Sequence, residues 1–520
     1  MSSLKLKTAD GLLWGAFSNG TVQVLQALFG LALLRLLDPS DHGRIAALVI
    51  FSNIASVLQE SGFTAALANK REPTHEEYNA VFWFNVLVGL SLYIILFFAA
   101  PLIADFYHDP VLTPLARFAF IGFFISSLGT AQRAHLFGHL CVKQTSITQL
   151  TAITVSGIVG VCLAAMKFAY WGLAAQSVAY VTVMTLMAWH FSPWRPTLHI
   201  DLRPAWQMFG FSSKLLINSL AFQLNNNAFG VLLTRFFGAH VAGIYSNARK
   251  WDDMAIATIG GMIQGVAQPV LRESSQHNSQ FTIHNSQLPP GSNQAKPNYE
   301  LCIMNYELIK AFRKLLRFTC FVAFPALFGL ALIAEDFIVC LTGEKWRESA
   351  QLLQLLCIYG AFTPLVTLYS NLVISRGRST VNMTVGLLNC ALVWGGIILL
   401  HELGYALRPM VIYYIVLNIS WLLVWQWWAR HLIGLRWRDA LKDILPFLLF
   451  AAAVMLATGW LTAAIDNGWW RMLLRIPLAA IFYIGILWVA RAQILRESID
   501  YLMNKGGIKK EKASSSSHRP

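Results

Sequence analysis

The chain is 520 residues long, 56% hydrophobic and only 13% charged, with a net charge of +14. A soluble domain carries nearer to ~25% charged residues, so a water-soluble enzyme or a nucleic-acid-binding module is excluded as the main body. The basic excess reads instead as membrane topology and attraction to anionic lipid headgroups, and no basic-aromatic soluble module suggests a nucleic-acid partner. About fourteen apolar stretches, each near the ~20 residues needed to cross a hydrocarbon core, fill the chain from end to end. Backbone amides within lipid must be satisfied inside their own segment, so these stretches are expected to be helices. The expected fold class is an all-α polytopic membrane protein.

Lys5 and Lys7 precede the first stretch without a cleavable signal pattern, so that stretch is expected to stay as an anchor. The spans are expected at 12–35, 43–66, 79–101, 113–135, 146–167, 169–191, 209–235, 241–270, 307–333, 348–374, 382–402, 405–428, 444–464 and 470–491. A polar stretch at 273–305, rich in Ser, Asn, Gln and Pro, interrupts the series and reads as a flexible cytoplasmic insertion. The chain closes on a basic tail, 496–520, whose Lys505–Lys512 cluster suits a membrane surface. The seven cysteines are scattered and form no CxxC, which points away from a metal or disulfide framework. No HExxH, GxSxG or P-loop occurs, so neither an enzyme nor a cofactor site is expected, and any energy would come from an ion gradient or from substrate flux.

Orientation follows from Lys and Arg. With the N-terminus inside, every inner segment is basic and together they hold about two thirds of the 40 Lys and Arg residues. The outer loops then contain Asp38, Asp41, Asp105, Asp109, Glu335, Asp336, Glu402 and Asp466. Both termini are thus expected in the cytoplasm. The halves repeat. LLRLLDPSDHG (33–43) and LTRFFGAHVAG (233–243) lie 200 residues apart, placing Arg35 on Arg235 and Gly43 on Gly243. LARFAFIG (115–122) resembles the stretch ending at Gly360, an offset of 238, and the insertion at 273–305 accounts for most of the increase. The expected organisation is a six-helix bundle (1–200), a second one (201–435), two extra helices (436–495) and the tail. Paired bundles of this kind place substrate between them near the midplane.

Several stretches resemble a known family. LLDPSDHGRIAAL, LQESGFTAAL (58–67), FYHDP, GIYSNARKW (243–251), VAQPVL, LTGEKW (341–346) and ISRGR (374–378) are similar to segments of the Wzx-type polysaccharide and O-antigen exporters. These belong to the multidrug/oligosaccharidyl-lipid/polysaccharide superfamily. The resemblance covers about residues 10–430, and the last two spans fit its 14-helix members. The insertion at 273–305 departs from the pattern but touches no motif. The resemblance implies flipping of an undecaprenyl-diphosphate-linked oligosaccharide across the inner membrane. Lipid-linked oligosaccharide, membrane lipids, H+ or Na+ and polysaccharide-synthesis machinery are the implied partners.

Charged residues inside a span cost at least ~2.5–3.5 kcal/mol on insertion scales, which marks them as functional candidates. Arg249, Lys250, Asp252 and Asp253 lie well within the eighth span. Arg249 and Asp253 are four apart and share a helix face. This set could bind a diphosphate or acidic sugar through Arg249 and Lys250, with Asp252 and Asp253 coupling an ion. It could equally be an internal pair that locks the helix. The seventh span carries Asn218, Gln223, Asn225, Asn226 and Asn227, amides suited to sugar hydroxyls or to contacts between helices. Lys214 is a further substrate candidate unless it snorkels to the interface. Glu60 is a third ion-coupling candidate unless it reaches headgroup water. Arg35 and Arg235 are expected to cap helix carbonyls, and Arg117 to be interfacial. Three rivals remain: a drug/cation antiporter, a lipid II flippase, and a membrane polymerase or glycosyltransferase. The last is disfavoured because the largest loop carries only Glu273 and Glu300 as carboxylates.

Overall fold

The computed structural model describes residues 20–59, 67, 73–139, 141–203, 219, 220, 223–261, 308–378 and 380–490. Each expected span has a helical counterpart, and no strand occurs among the described residues. The first is α1 (Gly20–Leu36), followed by α2 (Pro39–Glu60) and α3 (His75–Tyr107). α4 is bent by 46° between Leu112–Ser127 and Thr130–Gly138, and α5 (Val142–Ala165) and α6 (Tyr170–Phe191) follow. The segment Gln223–Gly261 holds two helices, α7 (223–237) and α8 (239–261), meeting at Gly238. The series continues with α9 (Leu308–Thr342), α10 (Glu344–Ser375), α11 (Thr380–Glu402), α12 (Leu407–Ile433), α13 (Trp437–Leu461) and α14 (Gly468–Val489). Among the described residues ten helices are long and apolar enough to cross a membrane, or eleven with the bent α4. The insertion at 273–305 and the tail lie outside the described residues.

Gly238 turns one continuous helical segment into a hairpin. Its φ of 77° lies in the region that glycine enters without a Cβ clash. In a straight helix Phe229 and Tyr245 would stand about 24 Å apart at 1.5 Å per residue. Their rings instead meet edge to face at 5.1 Å, so α8 runs back along α7. The repeat places Gly238 on Asp38, where α1 turns into α2.

The chain forms two compact units. One comprises Met1–Asn247, Leu341–Trp346 and Gly386–Met410; the other comprises Ala248–Cys340, Arg347–Val385 and Val411–Pro520. The seam falls inside α8, beyond the bundle boundary expected at residue 200.

In the first unit, α3 starts on a capping box. The Glu77 amide donates to Thr74 Oγ1 at 3.3 Å and the Thr74 amide donates to Glu77 Oε2 at 3.2 Å. Leu115, Ala116 and Phe120 of α4 pack against Ala100 of α3 and Ala174 of α6 in one core. Across the bend in α4, Arg133 ties the two helical pieces together. Its Nη2 donates to the Ser126 carbonyl and to Ser126 Oγ and Thr130 Oγ1, each at 3.2 Å. The first turns of α2 and α8 cross closely. A Cβ on Gly43 would overlap the Ala239 carbonyl oxygen, and a Cβ on Gly243 would overlap that of Pro39.

In the second unit, α9 is the central helix. Phe312, Leu316, Cys320, Ala323, Phe324 and Leu327 are fully buried along it. Both extra helices are fastened to it. Arg313 donates to the buried Asp443 of α13 at 2.6 and 3.2 Å. Near the other end of α9, the buried Asp336 accepts from Arg471 Nε at 2.9 Å and from Arg475 Nη1 at 3.0 Å, both on α14. Asp336 is therefore a helix residue buried in the structure, not the outer-loop carboxylate the sequence suggests. The outward surface is apolar. Phe98, Leu102, Leu456, Trp460 and Trp488 are each at least 70% exposed, which only a lipid environment accommodates.

Candidate functional site

Arg249 lies eleven residues past Gly238, or about 16 Å along α8 at 1.5 Å per residue. Its Nε lies 2.9 and 3.0 Å from the two carboxylate oxygens of Asp253, one turn on. The expected shared face is thus an ion pair. Arg249 keeps 20% of its side chain exposed and Asp253 53%, so the pair is open on one side. Arg249 Nη1 also reaches the Tyr414 hydroxyl on α12 at 3.5 Å. Lys250 is half-buried, its ammonium 5.9 Å from the centre of the Trp251 ring. Trp251 itself is buried edge-on against Phe337 at 4.9 Å, a packing role rather than a sugar platform.

Asp252 points elsewhere. It is fully buried, and neither carboxylate oxygen has a hydrogen-bond partner among the described residues. It sits where α10 is interrupted between Gly360 and Thr363, in the space a side chain on Gly360 would fill. Leu327 is the other close neighbour of that spot. An anion here lacks both solvent and donors, a costly arrangement unless the group exchanges a proton or cation. The two adjacent carboxylates are therefore different. Asp253 is paired and open, whereas Asp252 is buried and unsatisfied.

The amides of α7 also divide. Asn227 Nδ2 donates back to the Gln223 carbonyl at 2.8 Å and is spent on its own helix. Asn226 is exposed, and Asn225 is half-buried with its Oδ1 unpartnered. Side chains of Glu60, Lys214 and Asn218 lie outside the described residues. No cluster of three His, Cys, Asp or Glu able to hold a metal occurs among the described residues.

The predicted capping arginines take different partners. Arg35 Nε donates at 2.7 Å to the Leu341 carbonyl at the end of α9. Arg235 instead meets the His108 imidazole and stacks over the Phe106 ring at 5.3 Å. Arg117 lies over the Phe97 ring at 4.4 Å. Sequence reasoning missed the contacts of Lys345 and Trp346. Their only sequence signal is the LTGEKW motif itself, since the partners lie more than 300 residues away. Trp346 is fully buried and donates to the Leu34 carbonyl at 2.8 Å. Lys345 Nζ donates to the carbonyls of Leu37 at 2.6 Å and Arg35 at 3.1 Å.

This helical arrangement, with a hairpin repeated at Asp38 and Gly238, defines an all-helical membrane fold. It matches the solved structure titled lipid II flippase MurJ, inward closed conformation, with a TM-score of 0.67 at 14% identity. The match covers 91% of this chain and 99% of that one. The family model described as polysaccharide biosynthesis protein matches residues 32–285 and 304–351, and the chain belongs to that family. Among its relatives is the teichuronic acid biosynthesis protein TuaB of Bacillus subtilis (strain 168), 24% identical, with 88% of this chain and 90% of that protein covered. The lipopolysaccharide biosynthesis protein WzxC of Escherichia coli (strain K12) is 23% identical, with 86% of each covered. The succinoglycan biosynthesis transport protein ExoT of Rhizobium meliloti (strain 1021) is 20% identical, with 90% of each covered.

Proposed function

We infer that this protein is a flippase that carries a lipid-linked oligosaccharide, of the undecaprenyl-diphosphate type, across the inner membrane by alternating access. The observation that carries the reading is a cationic pair, Arg249 and Lys250, deep in a membrane helix of a chain from a polysaccharide-biosynthesis family. A diphosphate headgroup needs cationic donors to leave water. The guanidinium fork suits phosphate oxygens and the ammonium adds a point charge. Asp253 holds Arg249 in place while the site is empty and competes with the incoming phosphate. Asp252 is the ion-coupling group, exchanging H+ or Na+ as the cavity alternates, with Glu60 a second candidate. Asn225 and Asn226, with Asn218 and Lys214, contribute contacts to the sugar. The polyprenyl tail stays in lipid. An apolar cavity of about 710 Å3 lined by Phe450, Val454, Ile481 and Phe482 of α13 and α14 offers it a path.

The proposed orientation has both termini in the cytoplasm, two six-helix bundles at 1–200 and 201–435, and no catalytic step. The test is complementation of a strain lacking its polysaccharide flippase, followed by transfer of a labelled polyprenyl-diphosphate sugar in vesicles. Export by the normal chain, lost in the Arg249→Gln, Lys250→Gln variant at normal abundance, supports the reading. Full transport by that variant refutes the substrate site. Rescue of a lipid II flippase mutant instead would reassign the cargo.

A further inference from the structure

One end of the first unit is tied by contacts that pass from one repeat to the other, and they come in related pairs. The repeat offset of 200 relates Arg35 to Arg235 and Gly43 to Gly243, while the offset of 238 relates residues 106–110 to 344–348. The loop before α4 belongs to the first repeat, yet its His108 grips Arg235 of the second. The first turn of α10 belongs to the second repeat, yet its Lys345 and Trp346 grip the end of α1 in the first. Between these two clasps, Gly43 and Gly243 each press on the backbone of the opposite repeat.

Lys345 acts as a helix cap supplied from elsewhere. The last carbonyls of α1 have no partner within their helix and carry its partial negative charge. The ammonium satisfies those of Arg35 and Leu37 and lies 3.5 Å from Asp38. His42 stands edge-on to the Trp346 ring at 5.4 Å. Lys345 is one-third exposed and Asp38 three-quarters, so the ionic part of this clasp is wet and weak. The glycine crossing is backbone against backbone, so it can part without unthreading interlocked side chains. Tight, reciprocal and breakable contacts are what a gate needs.

We propose that this crossed set is the outer gate of the transporter and that Lys345 is its latch. The gate holds the outer face shut while α1 is capped by the first turn of α10 and Arg235 is held by His108. It opens when the cap is withdrawn. This rests on the alternating-access reading above, and its labelling test does not require the cargo to be known.

Two experiments decide it, both in a cysteine-free background. In the first, Leu37→Cys places a thiol on a position that is only 3% exposed, and labelling by a membrane-impermeant maleimide is followed. Lys345→Met should raise the labelling rate roughly tenfold or more, since the ammonium's hydrogen bonds to the Arg35 and Leu37 carbonyls are both lost, while Lys345→Arg should hold it near the parent rate. An unchanged rate in well-expressed Lys345→Met overturns the latch. In the second, His108→Cys and Arg235→Cys are bridged by a short bis-methanethiosulfonate. The bridge should stop export, and reduction should restore it. Export at the unbridged rate by fully bridged protein overturns the gate. The Arg249→Gln, Lys250→Gln variant should label like the parent, so failure of the cargo reading would leave the gate result standing.

Discussion

Charges inside the membrane helices are treated in two ways in the second unit. Where α9 meets α13 and α14, each buried carboxylate meets two arginines. Asp336 takes Arg471 and Arg475, and Asp443 takes Arg313 with Arg317 at 3.7 Å. On α8, Arg249 shares one half-exposed carboxylate, and Asp252 is buried with no hydrogen-bond partner among the described residues. Residue type does not separate the two regions, since both are Arg and Asp in helices. What separates them is satisfaction. In the α9 clusters each buried carboxylate is hydrogen-bonded and holds α13 or α14 in place. The α8 cluster has unused hydrogen-bonding capacity, and a transport site needs capacity for something that comes and goes.

The largest effect should come from emptying the open cluster. Replacing Arg249 and Lys250 with Gln should lower export by about 100-fold or more, since two charge-assisted contacts to the headgroup vanish. Thermal stability of the purified variant should change little, and a collapsed melting temperature would make α8 a structural cluster like those on α9. The Asp336 cluster should respond in the opposite sense. Asp336→Asn removes the buried carboxylate that Arg471 and Arg475 share, at a cost of about 3–5 kcal/mol. It should lower the melting temperature and abundance, while vesicles loaded with equal amounts of folded protein should still transport. Loss of transport at full stability would move Asp336 into the functional group.

A finer distinction lies within α8. Asp252→Asn keeps the shape of a side chain that makes no hydrogen bond among the described residues, so it should change stability by less than about 1 kcal/mol. Export should nevertheless lose its dependence on an imposed ion gradient, measured by varying pH or Na+ across vesicles. An unaltered gradient response would remove Asp252 from coupling. The smallest effect is expected at Arg117, which is half-buried and touches Phe97 through one cation–π contact and one hydrogen bond to its carbonyl at 3.3 Å. Arg117→Gln should cost about 0.5–1 kcal/mol and leave export unchanged. A strong transport defect there would show that open, weakly held cations outside α8 also serve the cargo.

The membrane class and helix positions were legible because hydropathy is a local property. The Arg249–Asp253 pair was legible too, since a spacing of four fixes the face on a helix. Asp336 was misread because α9 runs on to Thr342, about nine residues past the expected end of the span, and nothing local to Asp336 announces Arg471 and Arg475 far along the chain. The division of labour between Asp252 and Asp253 was equally invisible. It depends on the break in α10, which brings Gly360 against one carboxylate and not the other. The repeat revealed that Gly43 and Gly243 are equivalent, but not that they touch.

That contact has a consequence for how the chain can vary. In a two-fold homodimer, one position supplies both sides of a self-complementary contact, and a single codon is held by it. Here the two sides lie 200 residues apart in one chain and mutate separately. Yet a Cβ at position 43 would overlap a carbonyl of the second repeat, and a Cβ at 243 would overlap one of the first. Two codons therefore answer to one steric condition. While this crossing persists, neither can leave glycine unless the other repeat's backbone moves.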